Sequence, residues 1–207
     1  MPATPTPQTH QRPFDTDVLI VGAGPTGLTL ATALAVRGVR ATVIDGHAAG
    51  DNTSRAAVIH ARTLEVLEPL GVTPTLVSLG LQAQRFTVRD RDRVLIPITF
   101  GALPTRYPYT LMLSQAVTER VLLERLTALG GRVLRPRTLT RLAHDASGAT
   151  ATLDDGTPLQ ARYVVGCDGM HSAVREQAHT FGLSATAMAS HSCSPTCGSA
   201  VRCRATR

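Results

Sequence analysis

Apolar positions along the chain switch between short continuous runs and helical spacing. Residues 18–21 form an uninterrupted apolar run before Gly22, the pattern of a strand buried on both faces. Leu28, Leu30, Ala31 and Leu34 then recur at helical spacing, Gly38 ends the helix, and Ala41–Ile44 reads as a second strand. Residues 63–70 predict a short helix ending at Gly71. Residues 82–89 and 94–99 read as two strands around a turn at 91–93. Ser114 is placed to cap a long helix running to Leu129, with Val117, Val121, Leu122 and Leu126 on one face and Gly130 behind it. Val133–Leu134 returns as a short strand. Residues 139–143, 149–153 and 159–165 follow as a meander, with a tight turn at Asp155-Gly156. The pattern is α/β at first, then mixed, with no internal repeat.

The chemistry sits at the junctions. Between the first strand and helix stands V-G-A-G-P-T-G. Gly22 permits a tight turn, Gly24 removes a side chain where backbone meets a pyrophosphate, and Gly27 lets the helix pack close to the strand. Pro25 and Thr26 open the helix, whose free N–H groups favour an anion. Asp45 follows the second strand, about 20 residues past the glycines, where an acid binds ribose hydroxyls. This motif predicts dinucleotide binding and fits FAD or NAD equally.

Three further segments follow in order: S-R-A-A-V-I-H-A-R-T-L-E-V-L from Ser54, Y-P-Y-T-L-M-L-S-Q from Tyr107, and Y-V-V-G-C-D-G-M-H-S-A-V-R from Tyr163 to Arg175. With the glycine loop they resemble the N-terminal half of the class A flavoprotein monooxygenases. That family includes para-hydroxybenzoate hydroxylase, phenol hydroxylase and the aromatic polyketide hydroxylases. The resemblance runs from about residue 15 to residue 175. It implies a Rossmann-like FAD-binding domain in the glutathione-reductase style, truncated, with part of a substrate-facing β-sheet inserted near residues 80–112. Gly22, Gly24 and Gly27 would then hold the FAD pyrophosphate and Asp45 the adenosine ribose. Arg55 would lie near the FAD phosphates and the nicotinamide cosubstrate, and Gln115 would contact FAD. Asp168 would bind FAD ribose or phosphate and help organise NAD(P)H, and Gly169 would let backbone pass close to the cofactor. Arg175 would be structural, and Arg62 is left unassigned. The implied activity is NAD(P)H-dependent hydroxylation of an aromatic small molecule with oxygen, through a flavin hydroperoxide. No nucleophile–base–acid arrangement is visible, so no catalytic residue is assigned, as expected where the flavin carries the chemistry.

Composition narrows the remaining choices. A hydrophobic fraction of 43% in 207 residues is enough for a core, and no stretch reads as a membrane span. Residues 1–13 lack the apolar core of a signal peptide and read as a disordered leader, which favours the cytoplasm. All 21 basic residues are arginine, which points to a GC-rich gene more than to a nucleic-acid surface. The cluster Arg85, Arg89, Arg91 and Arg93 alternates with Phe86 and Val88 like the solvated face of a strand, so no nucleic-acid partner is expected.

The expected FAD half-domain covers residues 14–178. Residues 179–207 form an atypical tail, disordered or out of frame; a shifted reading of residues 190–204 admits A-F-V-L-A-D-V, a strand of the family's kind. The tail's Cys193, Cys197 and Cys203 match no zinc spacing, so no metal is expected. Without the family's later Gly-Asp segment, the isolated chain is expected to turn over weakly or not at all. Three alternatives stay open: another flavin dehydrogenase or reductase of this fold, a non-catalytic dinucleotide-binding module, and half of a split enzyme with a separately encoded C-terminal half.

Overall fold

The computed structural model describes residues 14–50, 58–145 and 147–178. Strand β1 (Thr16–Val21) is central, and five of its six residues are buried. Helix α1 (Pro25–Val36) and strand β2 (Ala41–Ile44) follow as the hydrophobic pattern predicts. Gly38, at φ 72°, turns the chain between them.

The main sheet also takes in β8 (Val133–Leu134), β9 (Leu139–His144), β10 (Ala149–Leu153) and β11 (Pro158–Gly166). Its order is β8-β2-β1-β11-β10-β9. Strands β8, β2, β1 and β11 run parallel, while β10 is antiparallel to both neighbours. Gly156, at φ 80°, makes the turn before β11 that Asp155-Gly156 predicts.

Alternate side chains of β1 feed two cores, which is why its run is continuously apolar. Val18 and Ile20 face a helical layer with Leu28, Val43, Leu64 and Leu122. Leu19 and Val21 face the other side with Ile44, Leu139 and Leu153. The helical layer contains α1, α2 (Ala61–Leu67, extended by a 3-10 turn to Leu70), α3 (Thr73–Leu79) and α4 (Gln115–Ala128). Ser114 caps α4 by accepting from the Val117 N–H at 3.4 Å. Arg125 Nε donates to the Leu70 carbonyl at 2.9 Å, tying α4 to the turn at Gly71.

Residues 58–59 and 81–112 supply two smaller sheets. Strands β3 (Val58–Ile59), β4 (Leu81–Ala83) and β7 (Thr110–Met112) form one, in the order β3-β7-β4. Strands β5 (Arg85–Asp90) and β6 (Arg93–Thr99) form a separate hairpin. One expectation is corrected here. The single strand at 82–89 is two, because the chain leaves one sheet at Gln84 and joins another. Arg85, Arg91 and Arg93 are exposed as the strand pattern predicts, and the apolar face opposite them is exposed as well. Phe86, Val88, Ile96 and Ile98 pair across it and remain exposed. A short helix α5 (Ala173–Gln177) ends the described chain. The leader, Arg55 and the tail lie outside the described residues.

Candidate functional site

In a parallel sheet, strand ends that point the same way gather their following loops at one edge. Here Gly22, Asp45, Arg135 and Cys167 come directly after β1, β2, β8 and β11. Backbone hydrogen bonds continue past the strands and lock the loops together. Gly22 N donates to Ile44 O at 2.8 Å, Asp45 N to Leu134 O at 3.1 Å and Cys167 N to Val21 O at 2.7 Å. A cavity of about 600 Å³ opens at this edge. Gly22, Gly24, Pro25, Thr26, Asp45, Gln115, Asp168 and Gly169 all line it.

The three motif glycines have different surroundings. Gly22 adopts φ 102°, and a Cβ there would meet the Cys167 backbone. A Cβ on Gly27 would run into the Gly22 carbonyl and come within 3.3 Å of Cys167 Cβ. These two glycines let helix, turn and β11 close on one another. Gly24 differs: it is the α1 N-cap residue, and a Cβ there would meet nothing within 4 Å. Its open face, with the N–H groups of the first helical turn beside it, is a cradle suited to a phosphate. The residues present therefore fit a dinucleotide.

Asp45 is held from two sides. Oδ2 accepts from Ala23 N at 2.7 Å and Oδ1 from His47 N at 2.8 Å. Each oxygen keeps a lone pair, the requirement for receiving two ribose hydroxyls. Arg135 lies behind it: Nη2 donates to the Ala23 carbonyl at 3.2 Å and stands 3.8 Å from Asp45 Oδ2. No motif flags Arg135 or Glu119, which also lines the cavity. The strand-end rule would have found Arg135 once β8 was paired beside β2.

Gln115 is placed by the start of α4. Its Nε2 donates to Glu119 Oε1 at 2.8 Å, which fixes the amide one helical turn from a buried carboxylate. Asp168 is engaged with its own loop. Oδ1 accepts from Ser172 Oγ at 2.6 Å and Oδ2 from Val174 N at 3.2 Å. Arg175 completes that loop by donating from Nη2 to the Met170 carbonyl at 2.6 Å. Gly169 takes φ 75°, with open space where a Cβ would point. Between β11 and this loop, burial and the Asp168 carboxylate push the Cys167 thiol pKa up. Arg62 is exposed and pairs with Glu65 at 2.9 Å, away from the Asp45 end.

Pro25 and Gln115 also line a second, mostly apolar cavity of about 360 Å³ between α1, α2 and α4, with Val58, Val66 and Leu113. No described helix is long and apolar enough to cross a membrane.

The family described as an FAD binding domain matches residues 15–198. A 6-methylpretetramide 4-monooxygenase of Streptomyces rimosus is 44% identical over 165 residues, 77% of this chain and 30% of that one. A dialkyldecalin synthase of Streptomyces rugosporus is 35% identical over 161 residues, 78% of this chain and 34% of that one. The solved ternary complex of aklavinone-11 hydroxylase with FAD and aklavinone superposes with a TM-score of 0.70 at 33% identity, over 80% of this chain and 35% of that one. The chain thus spans about a third of the length of these relatives. Sequence and superposed fold agree, and the chain belongs to the FAD binding domain family, with relatives that include a named monooxygenase and a hydroxylase solved with FAD.

Proposed function

We propose that this chain binds FAD along the parallel strand ends and supplies the FAD half-site of an NAD(P)H-dependent aromatic hydroxylase acting in the cytoplasm. The observation that carries the reading is the convergence of Gly24, Asp45, Gln115 and the Asp168–Gly169 loop on one cavity. In this reading Asp45 accepts from the adenosine ribose. Gly24 and the α1 N-terminus receive the pyrophosphate. Gln115 and the backbone at Gly169 border the remainder, and Arg55 neutralises phosphate charge. Asp168 shapes its loop by accepting from Ser172 and Val174, and the lone pair left on each oxygen can receive a cofactor hydroxyl. Bound FAD would supply hydride acceptance from NAD(P)H and oxygen activation; the protein's share is to bind, orient and exclude water. The aromatic substrate, and the surface covering the exposed β5–β6 hairpin, require protein beyond these residues. That surface is the remainder of a full-length enzyme or a separately encoded C-terminal half, and the isolated chain turns over weakly.

The relative named as a synthase favours a second reading, in which the same FAD module serves a chemistry other than oxygen insertion. One spectroscopic experiment separates the two. The purified chain is incubated with FAD, desalted and scanned, then treated with NADPH without oxygen. Near-stoichiometric flavin bands that bleach support the hydroxylase reading. Retained flavin that does not bleach favours the second. A colourless, folded protein rejects FAD binding by this chain.

A further inference from the structure

We propose that Arg135 is a positioning residue for the adenosine end of the site, holding the Asp45 carboxylate in the orientation that reads the ribose hydroxyls. The inference rests on the FAD-site reading and adds a residue that no motif marks.

Arg135 follows β8, the strand paired with β2, and so stands next to Asp45 at the sheet edge. Its side chain is 14% exposed and the Asp45 side chain 12%, so water screens the pair only partly. One guanidinium nitrogen serves both sides of the glycine loop. Nη2 donates to the Ala23 carbonyl, while the Ala23 N–H donates to Asp45 Oδ2. Arg135, Ala23 and Asp45 thereby form a closed arrangement in which turning the carboxylate would break a contact on each side. The arrangement carries a cost, because Arg135 Nε is buried with no hydrogen-bond partner among the described residues. A buried, unpaired donor is destabilising and calls for an explanation. Scaffolding alone explains it poorly, since a shorter apolar side chain would avoid the cost. A role in fixing the acid that faces the ligand explains why a cation stands there. Arg137 is turned outward to Asp155 at 3.1 Å, so among the described residues Arg135 is the guanidinium beside Asp45, with the exposed His47 ring 3.4 Å from the other carboxylate oxygen.

The test uses the 207-residue chain with ADP and 2′,3′-dideoxy-ADP as calorimetric probes, which reports binding without any turnover. The parent is expected to prefer ADP by about tenfold, the worth of hydrogen bonds to a charged acceptor. Arg135→Ala should bind ADP about tenfold more weakly, bind the dideoxy nucleotide within about twofold of the parent, and so lose the preference. Arg135→Lys, which keeps the charge but not the fork, should recover part of it, and it carries the test if the alanine variant does not fold. Equal weakening of both nucleotides would show that Arg135 only supports the loop, and would overturn the proposal. So would a variant that keeps the parent's preference. A parent with no preference overturns the ribose role of Asp45 itself, and this inference with it.

Discussion

Gly24 and Gly27 belong to one motif, yet substituting each with alanine should have opposite consequences. Inside a helix, Gly27→Ala would ordinarily stabilise by about 1 kcal/mol through backbone entropy. Here the added Cβ runs into the Gly22 carbonyl, lies 3.1 Å from Gly22 C and sits 3.3 Å from Cys167 Cβ. Gly22 is pinned by its N–H bond to Ile44 O at 2.8 Å, and Cys167 by its bond to Val21 O at 2.7 Å, so neither can yield cheaply. Overpacking against fixed backbone costs about 3 kcal/mol, at the upper end of the usual range. The net is about 2 kcal/mol of destabilisation, or roughly 4–8 °C in Tm for a domain of this size. Gly24→Ala places its Cβ in open space at φ −74°, so its cost is limited to the weaker N-cap, at most about 1 kcal/mol. That variant should melt within about 4 °C of the parent and still fail to retain FAD. Circular dichroism melts without ligand, followed by flavin retention after desalting, measure both effects. A Gly27→Ala protein melting at or above the parent would refute the packing argument. A Gly24→Ala protein that retains FAD like the parent would refute the phosphate cradle.

Three further outcomes are expected. Ser114→Ala removes the acceptor for Val117 N, and because that bond is long at 3.4 Å the loss should be about 0.5 kcal/mol in a urea melt; a loss above about 2 kcal/mol would contradict a simple cap. Burial and the neighbouring Asp168 hold the Cys167 pKa above its ordinary 9.0, so the fold favours the neutral thiol. Its contribution is complete below pH 9.0 and is lost as pH rises through the raised value. In a chain with Cys193, Cys197 and Cys203 changed to Ser, iodoacetamide at pH 8 should modify Cys167 about tenfold more slowly than it modifies the unfolded chain, and ADP should slow it further; equal rates would contradict the burial. Finally, Val88→Thr with Ile96→Thr replaces an opposed exposed pair without removing β-branching. Light scattering should fall while Tm stays within about 3 °C; a large fall in Tm would mean that this pair packs within the chain.

What was legible in the sequence depended on how locally each element is determined. Strand β1, helix α1 and strand β2 could be read because their apolar runs, glycines and helical spacing are all local signals. The α4 boundaries followed from Ser114 and Gly130 for the same reason. Strands β3, β4 and β7 are only 2–3 residues each and exist through pairings across more than 20 residues. No local period marks such strands, and that is how residues 82–89 came to be read as one strand across a change of sheet. Helix α3 was missed because Thr73, Thr75 and Val77 have weak helix propensity; Leu76, buried in the core, holds it in place. At the site, the motif residues were legible and their partners were not. Asp168 could be named, but Ser172 and Val174 as its ligands required the loop to be seen. Arg135 carries no motif because its position follows from β8 pairing with β2.

The two cavities also constrain what shape of ligand the edge can take. At one end stand Asp45, Arg135 and the open face of Gly24, charged or hydrogen-bonding groups held by backbone. At the other, past Pro25 and Gln115, the lining changes to Val58, Val66 and Leu113. A nucleotide alone would use the first and leave the second wet, an unfavourable exposure of apolar surface. A flat apolar ring alone would use the second and leave the carboxylate and helix N-terminus unanswered. A ligand with a sugar-phosphate end joined to a flat, largely apolar ring answers both, and FAD has that construction. Gln115 is the hinge of this reading, because it borders both cavities while Glu119 fixes its amide. Recognition at the polar end depends on residues contained within this chain. Among the described residues the apolar end is walled by α1, α2 and α4 and open on its remaining side. Affinity for ADP should therefore be close to complete in this chain, while affinity for FAD should exceed it only modestly.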